Sequence, residues 1–519
     1  MLLQLPVLFS MRIASLSKSQ CSRSLFAIRS TVRALVQLTT YLLLIGCAVG
    51  PDYSGPPQLK LPSRWSNEAA PAHRAARVDR WWLRLRDPLL NQMIDEGIAA
   101  NPSVAKAKAT VREARATREQ TTAGLFPSVT GSASATNTKG SDSGSTSSVI
   151  TNTPYTLYQA GFDSSWELDI FGGTQRSIEA AWRGEQSAEA DLQYSIVTLT
   201  GDVAAYYIDA RGYQARVMLA QRTAASQRAT ERLTRTKYEA GTATAMDLAK
   251  ASAQAASTEA NIPTYQAALA ASTHRLGILL GRSPNAVSAL LARSAPVPTP
   301  LLPLPTGIPA DLLINRADVA SAERKLAQTT AKIGQAEADR YPAVSLTGSV
   351  GTSALRVGDL AKYSTVSWSF GPSVTVPVLD AGKRYAAVRI AEAQRDQAFA
   401  TFHSTLLSAL EDVENALVSL SRERVRAEKL SEAARNYREA ARLSRTLFEN
   451  GSASFIDVLD AERSLYSAED SLIQSKTSIA KDFVALAKAL GGGWVETVDT
   501  AKPLVTDVNT GPRLREPLK

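Results

Sequence analysis

The residues best suited to catalysis or metal binding are few in this 519-residue chain, and they are not spaced for either. His73, His274 and His403 lie far apart in the sequence and show no metal-ligand spacing. The chain also lacks a Walker A loop, a nucleophile elbow and a His-Glu-x-x-His motif. Gly491 and the two glycines after it indicate a helix terminus rather than a phosphate loop. We therefore predict no catalytic residue, no metal site and no cofactor.

The two cysteines, Cys21 and Cys47, both lie near the N-terminus. Basic residues precede an apolar run over residues 34–45, which is the order of a signal peptide and is short for a membrane-spanning helix. The end of this run resembles a bacterial lipobox. It predicts a signal peptide over residues 1–46 and a lipidated Cys47 as the first mature residue. Ordinary cleavage beside an incidental cysteine is the alternative.

The net charge of +9 overstates how basic the mature chain is. Five of these charges lie in residues 1–46, which contain no acidic residue, so residues 47–519 carry +4. No block of basic residues is interleaved with aromatic residues, which argues against a nucleic-acid partner. The sequence leaves open whether translation starts at Met1 or at Met11.

Two short stretches, 210 residues apart, repeat one pattern. In each, an aromatic residue stands three positions before a glycine, Gly241 or Gly451, and small hydroxyl residues follow. These glycines are typical of helix C-caps, because glycine adopts a left-handed backbone cheaply. A hydroxyl residue with an aspartate three positions later is the pattern of a capping box, which opens the next helix. The pairs are Thr244 with Asp247 and Ser454 with Asp457. Each stretch therefore predicts a tight turn between two antiparallel helices.

Long segments with the composition of helices flank both turns. Residues 172–240 contain no proline and predict a helix about 100 Å long at ~1.5 Å per residue. Residues 380–449 predict a second helix of this kind. Helices of this length need partner helices along them, as in a coiled coil. The helix that follows the first turn is expected to run to Leu280, with an interruption at Pro263.

Four segments alternate apolar and polar residues with period two, which predicts β-strands. In the second of them, Tyr158, Phe162 and Trp166 fall on one face, and Asp163 and Glu167 fall on the other. This pattern suits the wall of a membrane β-barrel. A soluble sandwich that buries the apolar face is the alternative. The four strands are expected at residues 126–136, 155–170, 342–352 and 366–379.

The second half of the chain repeats the first at an offset of about 210–215 residues, which indicates a tandem duplication. The predicted fold is mainly α with a membrane β-barrel, each repeat being helix, β-hairpin and long helical hairpin. The predicted organisation is a signal peptide over residues 1–46, an extended lipid-anchored strap over 47–80, a first repeat over 81–294, a linker over 295–309, a second repeat over 310–493 and a C-terminal tail over 494–519.

Four strands are too few to close a membrane barrel. The smallest spanning barrels have about eight strands, and an open sheet edge leaves backbone groups unpaired in the bilayer. At least two chains must therefore share one barrel. The long helices would continue it as a ring, with both helical turns at the end far from the membrane.

The sequence resembles the outer-membrane efflux protein (TolC-like) family, in particular its NodT or OprM type of lipoprotein. The residues that carry the resemblance are Gly46-Cys47-Ala48-Val49-Gly50-Pro51-Asp52-Tyr53, Trp81-Trp82, Asp87-Pro88-Leu89, Asn101-Pro102 and the doubled glycine turns. The resemblance covers nearly all of residues 47–495. It implies a homotrimer in the Gram-negative outer membrane, with a shared twelve-stranded barrel and a periplasmic α-barrel.

The resemblance also implies partners and a function without chemistry. The channel would dock onto a periplasmic adaptor and an inner-membrane pump of the resistance-nodulation-division type, and would release drugs or small toxic compounds. Two alternatives are an outer-membrane channel for type I protein secretion and a periplasmic coiled-coil adaptor or scaffold.

In this family acidic residues line the periplasmic gate, and the matching positions here are Asp457 and Asp460. They are three residues apart, so both can lie on one helical face. In a trimer they would form a ring of six carboxylates that favours cations. The alternative for Asp457 is the capping box alone. The alternative for Asp460 is a solvated helix face; Lys250 holds its matching position in the first repeat.

The tyrosine and arginine that hold the gate closed in better-known family members correspond to Phe448 and Ala453 here. A polar closure of that kind would lack its partners. We therefore hypothesise hydrophobic closure around Phe448, Phe455 or Leu459. The residues expected to form the turns and contact the adaptor are Gly241, Thr244, Asp247, Gly451 and Ser454.

Overall fold

The structure is a computed structural model that describes residues 48–56, 62, 65, 79–139, 154–302, 316–494 and 498–502. The predicted signal peptide, Cys47 and His73 lie outside the described residues. Helices and four strands make up most of the described chain, in two successions of the same kind.

The first half of the chain runs from helices through a β-hairpin to a helical hairpin. A short 3-10 helix, Trp81–Leu85, precedes it. Its elements are α1 (Pro88–Ala100), α2 (Pro102–Ala123), β1 (Ser128–Thr138), β2 (Tyr155–Leu168), α3 (Gly173–Glu239) and α4 (Ala245–Leu279).

The second half repeats the order of the first half from α2 onward. Its elements are α5 (Ala317–Ala338), β3 (Ala343–Ala354), β4 (Val366–Thr375), α6 (Lys383–Glu449) and α7 (Phe455–Ala489). Corresponding helices have equal lengths: 67 residues in α3 and α6, 35 in α4 and α7, and 22 in α2 and α5. The four strands lie within a few residues of their predicted positions.

The helices begin where the sequence provides side-chain caps. Asp87 accepts hydrogen bonds from the backbone of Leu89 and Leu90 at the start of α1. Asp169 does the same at α3, where it accepts from the backbone of Thr174 and Gln175. Such caps satisfy N–H groups that have no partner within the helix. Among the described residues, no helix is both long and apolar enough to cross a membrane.

The predicted interruption at Pro263 is wrong, because α4 continues through this residue to Leu279. Proline removes one backbone hydrogen bond and costs about 3 kcal/mol in a helix interior. Here the helix is buried on both sides of the proline, at Ala255 and Thr258 before it and at Ser272 and Thr273 after it. We infer that this packing holds both halves of α4 on one axis despite the cost.

The four strands form one antiparallel sheet in the order β1-β2-β3-β4. Each strand pairs with the next along the chain, and β2 pairs with β3 from the other half. Within the described residues, β1 and β4 are therefore the edges of the sheet. An edge strand presents a row of backbone groups that can pair with another strand.

The register aligns the apolar residues on one face of the sheet. Phe162 of β2 lies opposite Gly131 and Val350, and Val350 lies opposite Trp368. The next row is polar and contains Thr130, Asp163, Ser349 and Ser369. The predicted alternation is thus present in all four strands. The apolar face is uncovered, since Trp368 is 78 % exposed, and an exposed apolar patch of this kind marks a surface for protein or membrane contact.

The chain divides into two compact units. The described parts of residues 48–51, 121–177 and 331–389 make up the first, which contains the sheet. In this unit the backbone N–H of Val49 donates to the carbonyl of Phe171, and Arg176 donates to the carbonyls of Val49 and Gly50. Gly50 touches Gly334 so closely that a Cβ atom on Gly50 would lie 2.4 Å from the Gly334 Cα. This contact accounts for the glycine in the Ala-Val-Gly-Pro segment.

The second unit is helical and holds the main hydrophobic core. Trp81 packs edge-on against Trp82 and Phe483, with ring centroids 5.7 and 6.2 Å apart. Tyr207 is fully buried and donates to Asp87 at 2.6 Å. The helical turns described next belong to this unit.

Candidate functional site

The two helical turns have the same backbone. Gly241 and Gly451 both have φ of +77°, in the left-handed region that favours glycine. At the first turn the N–H of Thr242 donates to the carbonyl of Lys237 at 2.8 Å, and at the second Ser452 donates to Leu447 at 2.8 Å. These are Schellman motifs, which close the C-terminus of a helix.

Both predicted capping boxes are formed. The Thr244 hydroxyl accepts from the N–H of Asp247, and the Asp247 carboxylate accepts from the N–H of Thr244 at 3.1 Å. Ser454 and Asp457 make the same reciprocal pair at the start of α7. The hydroxyl and backbone N–H of Ser454 lower the pKa of the Asp457 carboxyl. The Asp457 carboxylate therefore serves as a cap, and any gating role would be additional.

Phe448, Phe455 and Leu459, the residues of the predicted hydrophobic closure, are buried within the single chain. These three side chains are 5 %, 5 % and 7 % exposed, and they form one buried cluster with Val458 and Ala251. We call these five residues the turn cluster. The rings of Phe448 and Phe455 meet edge-on, 5.9 Å apart. Because Ala251 belongs to α4, the cluster joins the two helical hairpins of one chain and leaves little apolar surface to meet another.

Lys237, which no sequence pattern singled out, joins the two turns directly. Its Nζ donates to the carbonyl of Phe448 and lies 4.2 Å from the centroid of the Phe448 ring. The carbonyl belongs to the last turn of α6, where unpaired carbonyls give the helix end a partial negative charge. A lysine near the C-terminus of a helix ordinarily interacts with the carbonyls of its own helix, so no local pattern identifies a partner 211 residues away.

Further polar contacts join the hairpins beyond the turn cluster. Arg445 of α6 donates to the hydroxyl of Ser226 on α3 at 3.0 Å. The hydroxyl of Thr230 on α3 donates to Glu462 of α7, also at 3.0 Å. Burial raises the pKa of the Glu462 carboxyl, although the Thr230 hydrogen bond and the charge of Arg445 oppose this. Contacts from one hairpin to the other thus involve α3, α6 and α7.

Asp460 is exposed, as is Asp457. It lies one helical turn beyond Asp457 on α7, and Val458 and Leu459 between them are buried. Its carboxylate is thus presented on the surface of the chain close to the second turn. Exposure at this position is what a residue that lines a channel mouth requires.

The described residues hold no cluster of three or more His, Cys, Asp or Glu side chains that could bind a metal ion. His403 packs against Phe399, with ring centroids 6.4 Å apart. The site is therefore a set of hairpin contacts and exposed carboxylates, which can position helices and attract cations.

The family model described as outer membrane efflux protein matches residues 93–282 and 308–492. The chain belongs to this family. The two matched segments correspond to the two halves of the fold, and together they cover well over half of the sequence. The predicted family and the predicted outer-membrane location are confirmed. The family description is that of an efflux protein and names no enzymatic activity.

Several characterised relatives extend over almost the whole chain. Nodulation protein T of Rhizobium leguminosarum bv. trifolii is 34 % identical over 456 residues, which are 87 % of this chain and 96 % of that protein. The solvent efflux pump outer membrane protein SrpC of Pseudomonas putida is 30 % identical and covers 87 % of this chain, with 97 % of its own length matched. SrpC is, by its name, the outer-membrane protein of a solvent efflux pump.

Solved structures show the same fold. The outer-membrane channel OprN superposes with a TM-score of 0.80 at 34 % identity, covering 86 % of this chain and 100 % of that one. The CmeC outer membrane channel of Campylobacter jejuni also gives a TM-score of 0.80, at 22 % identity, over 88 % of this chain and 97 % of that one. At 22 % identity, the similarity to CmeC is evidence for the fold alone.

Proposed function

We propose that this protein is the outer-membrane channel of a tripartite efflux system. It would pass drugs or small toxic compounds from the periplasm to the exterior, together with a periplasmic adaptor and an inner-membrane pump of the resistance-nodulation-division type. The observation that carries the proposal is a four-stranded antiparallel sheet in a chain of this family, whose apolar face and two edges are uncovered by the residues that the structure describes.

The channel would be a homotrimer. Three copies supply twelve strands, enough to close a barrel, and closure pairs the free edges of β1 and β4. The apolar row of Phe162, Val350 and Trp368 would face lipid. The long helices α3 and α6, with 67 residues each, would pack against those of neighbouring copies as an α-barrel. The equal helix lengths of the two halves support their origin by tandem duplication.

The N-terminus would be held in the membrane by a lipid on Cys47. Ala48 lies against Gly172, where a Cβ atom would be 2.6 Å from the Ala48 Cα. Val49 and Gly50 are fixed by Arg176. These contacts hold the residues directly after Cys47 against the rest of the chain, as expected if the lipid anchor also has a fixed position.

The gate would consist of Asp460, with Asp457 as a second carboxylate on the same helix. Rings of these residues in a trimer would attract cations to the channel entrance. Phe448 and Leu459 would act indirectly, by holding α7 in position through the turn cluster. Lys237 of α3 would restrain the end of α6 through the Phe448 carbonyl.

The turns would contact the adaptor. Their backbones are rigidly defined by the Schellman motifs and capping boxes, and most of their side chains are exposed. The residues concerned are Gly241, Thr244, Asp247, Gly451 and Ser454.

Cellular efflux tests this function directly. Deletion of the gene should raise the accumulation of a fluorescent efflux substrate such as ethidium. Reintroduction of the wild-type gene should lower the accumulation to its original level. Restored protein secretion with unchanged accumulation would favour the type I secretion channel instead. A periplasmic adaptor or scaffold does not account for the exposed apolar sheet.

The gate assignment has its own test. Asp460→Ala should raise ionic conductance in planar bilayers by weakening the closed gate. It should also reduce the preference for cations, because it removes one carboxylate per copy. Lys250→Ala, at the matching position of α4, is the control and should leave both unchanged. Wild-type conductance and selectivity in Asp460→Ala would remove Asp460 from the gate.

A further inference from the structure

An open groove of about 620 Å³ lies between α3, α6 and α7 in the helical unit. The segment at Pro296 contributes one side of it. Sites for small molecules are concave, mostly apolar and of about 300–1,000 Å³. The groove has this size and is separate from the turn cluster and from the two aspartates of the gate.

The floor of the groove is apolar. Leu219 of α3 and Leu472 and Ile473 of α7 line it together with Met218 and Pro296. Met218 is 55 % exposed, so a large flexible side chain faces the open space. Methionine adapts its shape to varied apolar ligands. The floor therefore suits an alkyl chain or an aromatic ring.

The rim of the groove carries more positive than negative charge. The Glu469 carboxylate is the acidic member of the lining and is 9 % exposed. It accepts from Arg222 of α3 at 2.6 Å and from Arg438 of α6 at 3.2 Å. Lys476 is exposed and has no ion pair within the described residues. Three cations against one carboxylate leave two positive charges unmatched.

The two arginines keep donors available despite their ion pairs. Glu469 is bound by one nitrogen of Arg222, which is 70 % exposed, while Arg438 is 59 % exposed. A guanidinium has five N–H donors, so each can bind a second anion beside the first. The buried carboxylate thus orients the arginines, and their outer faces remain open.

From this arrangement we infer that the groove is a binding site for anionic amphiphiles, molecules with an apolar body and a single carboxylate or sulfonate. The apolar body would lie on Met218, Leu472 and Ile473. The anionic group would be held by Arg222, Arg438 and Lys476. An occupant would contact α3, α6 and α7 together, the same three helices that join the hairpins near the turns.

Photolabelling tests the site and its charge preference. The full-length protein in lipid nanodiscs would be irradiated with dodecanoate that carries a diazirine on its alkyl chain, and the labelled residues mapped by mass spectrometry. We expect label on Met218, Leu472 or Ile473. Excess decanoate should suppress it, and decyltrimethylammonium should not. Equal labelling by a cationic diazirine analogue, or no label in the groove, would overturn the proposal.

Variants separate the rim from the floor. Arg222→Gln should weaken labelling about tenfold, the effect of one charge-assisted hydrogen bond. Lys476→Gln breaks no ion pair in the described chain, so it should weaken labelling even if Arg222→Gln folds poorly. Met218→Glu should abolish labelling by placing a carboxylate on the floor. Arg442→Gln, an exposed arginine of α6 outside the groove, should have no effect. Unchanged labelling in Met218→Glu would contradict the site.

A second copy of the chain is the competing occupant. In Met218→Cys, a maleimide reagent should modify the cysteine in the native assembly as readily as after heat dissociation. Reaction only after dissociation would mean that another copy covers the groove, and the ligand proposal would then be wrong.

Discussion

Tyr238, the aromatic residue before the first turn, is 45 % exposed, whereas Phe448, its counterpart before the second turn, is 5 % exposed. The backbones do not explain this difference, since Gly241 and Gly451 have the same φ and both turns end in a capping box. The residues after the turns differ instead. Ala245 opens α4 where Phe455 opens α7.

The comparison separates two levels of specification. Glycine and the capping pairs set the turn locally, so any helical hairpin with these residues can form it. The size of the neighbouring side chains then decides whether the turn packs against the rest of the chain. In this protein the aromatic residue before the second turn is packed, and the one before the first turn remains exposed. The first turn supplies Lys237 as its link to the second.

The largest effect is expected from Phe448→Ala. Removing a buried aromatic ring typically costs about 3–5 kcal/mol, and the loss would fall on the contact between the hairpins. Amide hydrogen exchange of residues 448–460 should accelerate accordingly. Tyr238→Ala, at the exposed counterpart, should change the free energy of opening measured by exchange by no more than about 0.5 kcal/mol. Similar effects of the two variants would show that the turns do not differ in packing.

A smaller effect is expected from Lys237→Ala, which removes the hydrogen bond to the Phe448 carbonyl. A partly exposed hydrogen bond from a charged donor contributes on the order of 1–2 kcal/mol. Exchange at the C-terminus of α6 should accelerate. Leu447 holds the matching position in the second half and is 47 % exposed, so Leu447→Ala is the control. If Leu447→Ala has the larger effect, Lys237 is not the link.

The capping boxes should respond equally at the two turns. Thr244→Ala and Ser454→Ala each remove one N-cap, at a cost of about 1 kcal/mol. Exchange in the first turns of α4 and α7 should accelerate to the same extent. A response at one turn only would mean that the two N-caps contribute different stabilisation despite their shared backbone geometry.

Two carboxylates of α7, those of Asp457 and Glu462, should show opposite pH dependence. The Ser454 hydroxyl and backbone N–H lower the pKa of the Asp457 carboxyl. The ionised carboxylate therefore stabilises the folded state fully at pH values above the usual range for aspartate, and this stabilisation is lost as the pH falls through the lowered pKa. Burial raises the pKa of Glu462, so the folded state binds this proton more tightly and gains stability as the pH falls into that raised range.

Glu462→Gln isolates this second effect, since glutamine can still accept from Thr230. The pH dependence of exchange, corrected for the intrinsic rate, should disappear around residue 462 and persist around residue 457. Persistence around residue 462 in the variant would assign the titration to another group.

The sequence was sufficient for features that depend on local residues. The glycines at 241 and 451 and the Thr244 and Ser454 pairs determine the turns within a few positions, and period-two alternation located the strands. It was insufficient where distant residues decide. The burial of Leu459 depends on which side of α7 faces α4, and that of Phe448 depends on its contacts with Phe455 and Lys237. Lys237 finds its partner 211 residues away, and Pro263 is held in a helix by packing on both sides of it.

The central claim is that several copies of this chain close one barrel in the outer membrane. Heat-modifiable migration of the detergent-extracted outer-membrane fraction tests it, with Cys47→Ser as the control for lipid attachment. We predict a trimer-sized species that collapses to monomer on boiling, and that forms in Cys47→Ser as well because the sheet edges hold it together. A monomer in the soluble or inner-membrane fraction, unchanged by boiling, would contradict the shared barrel.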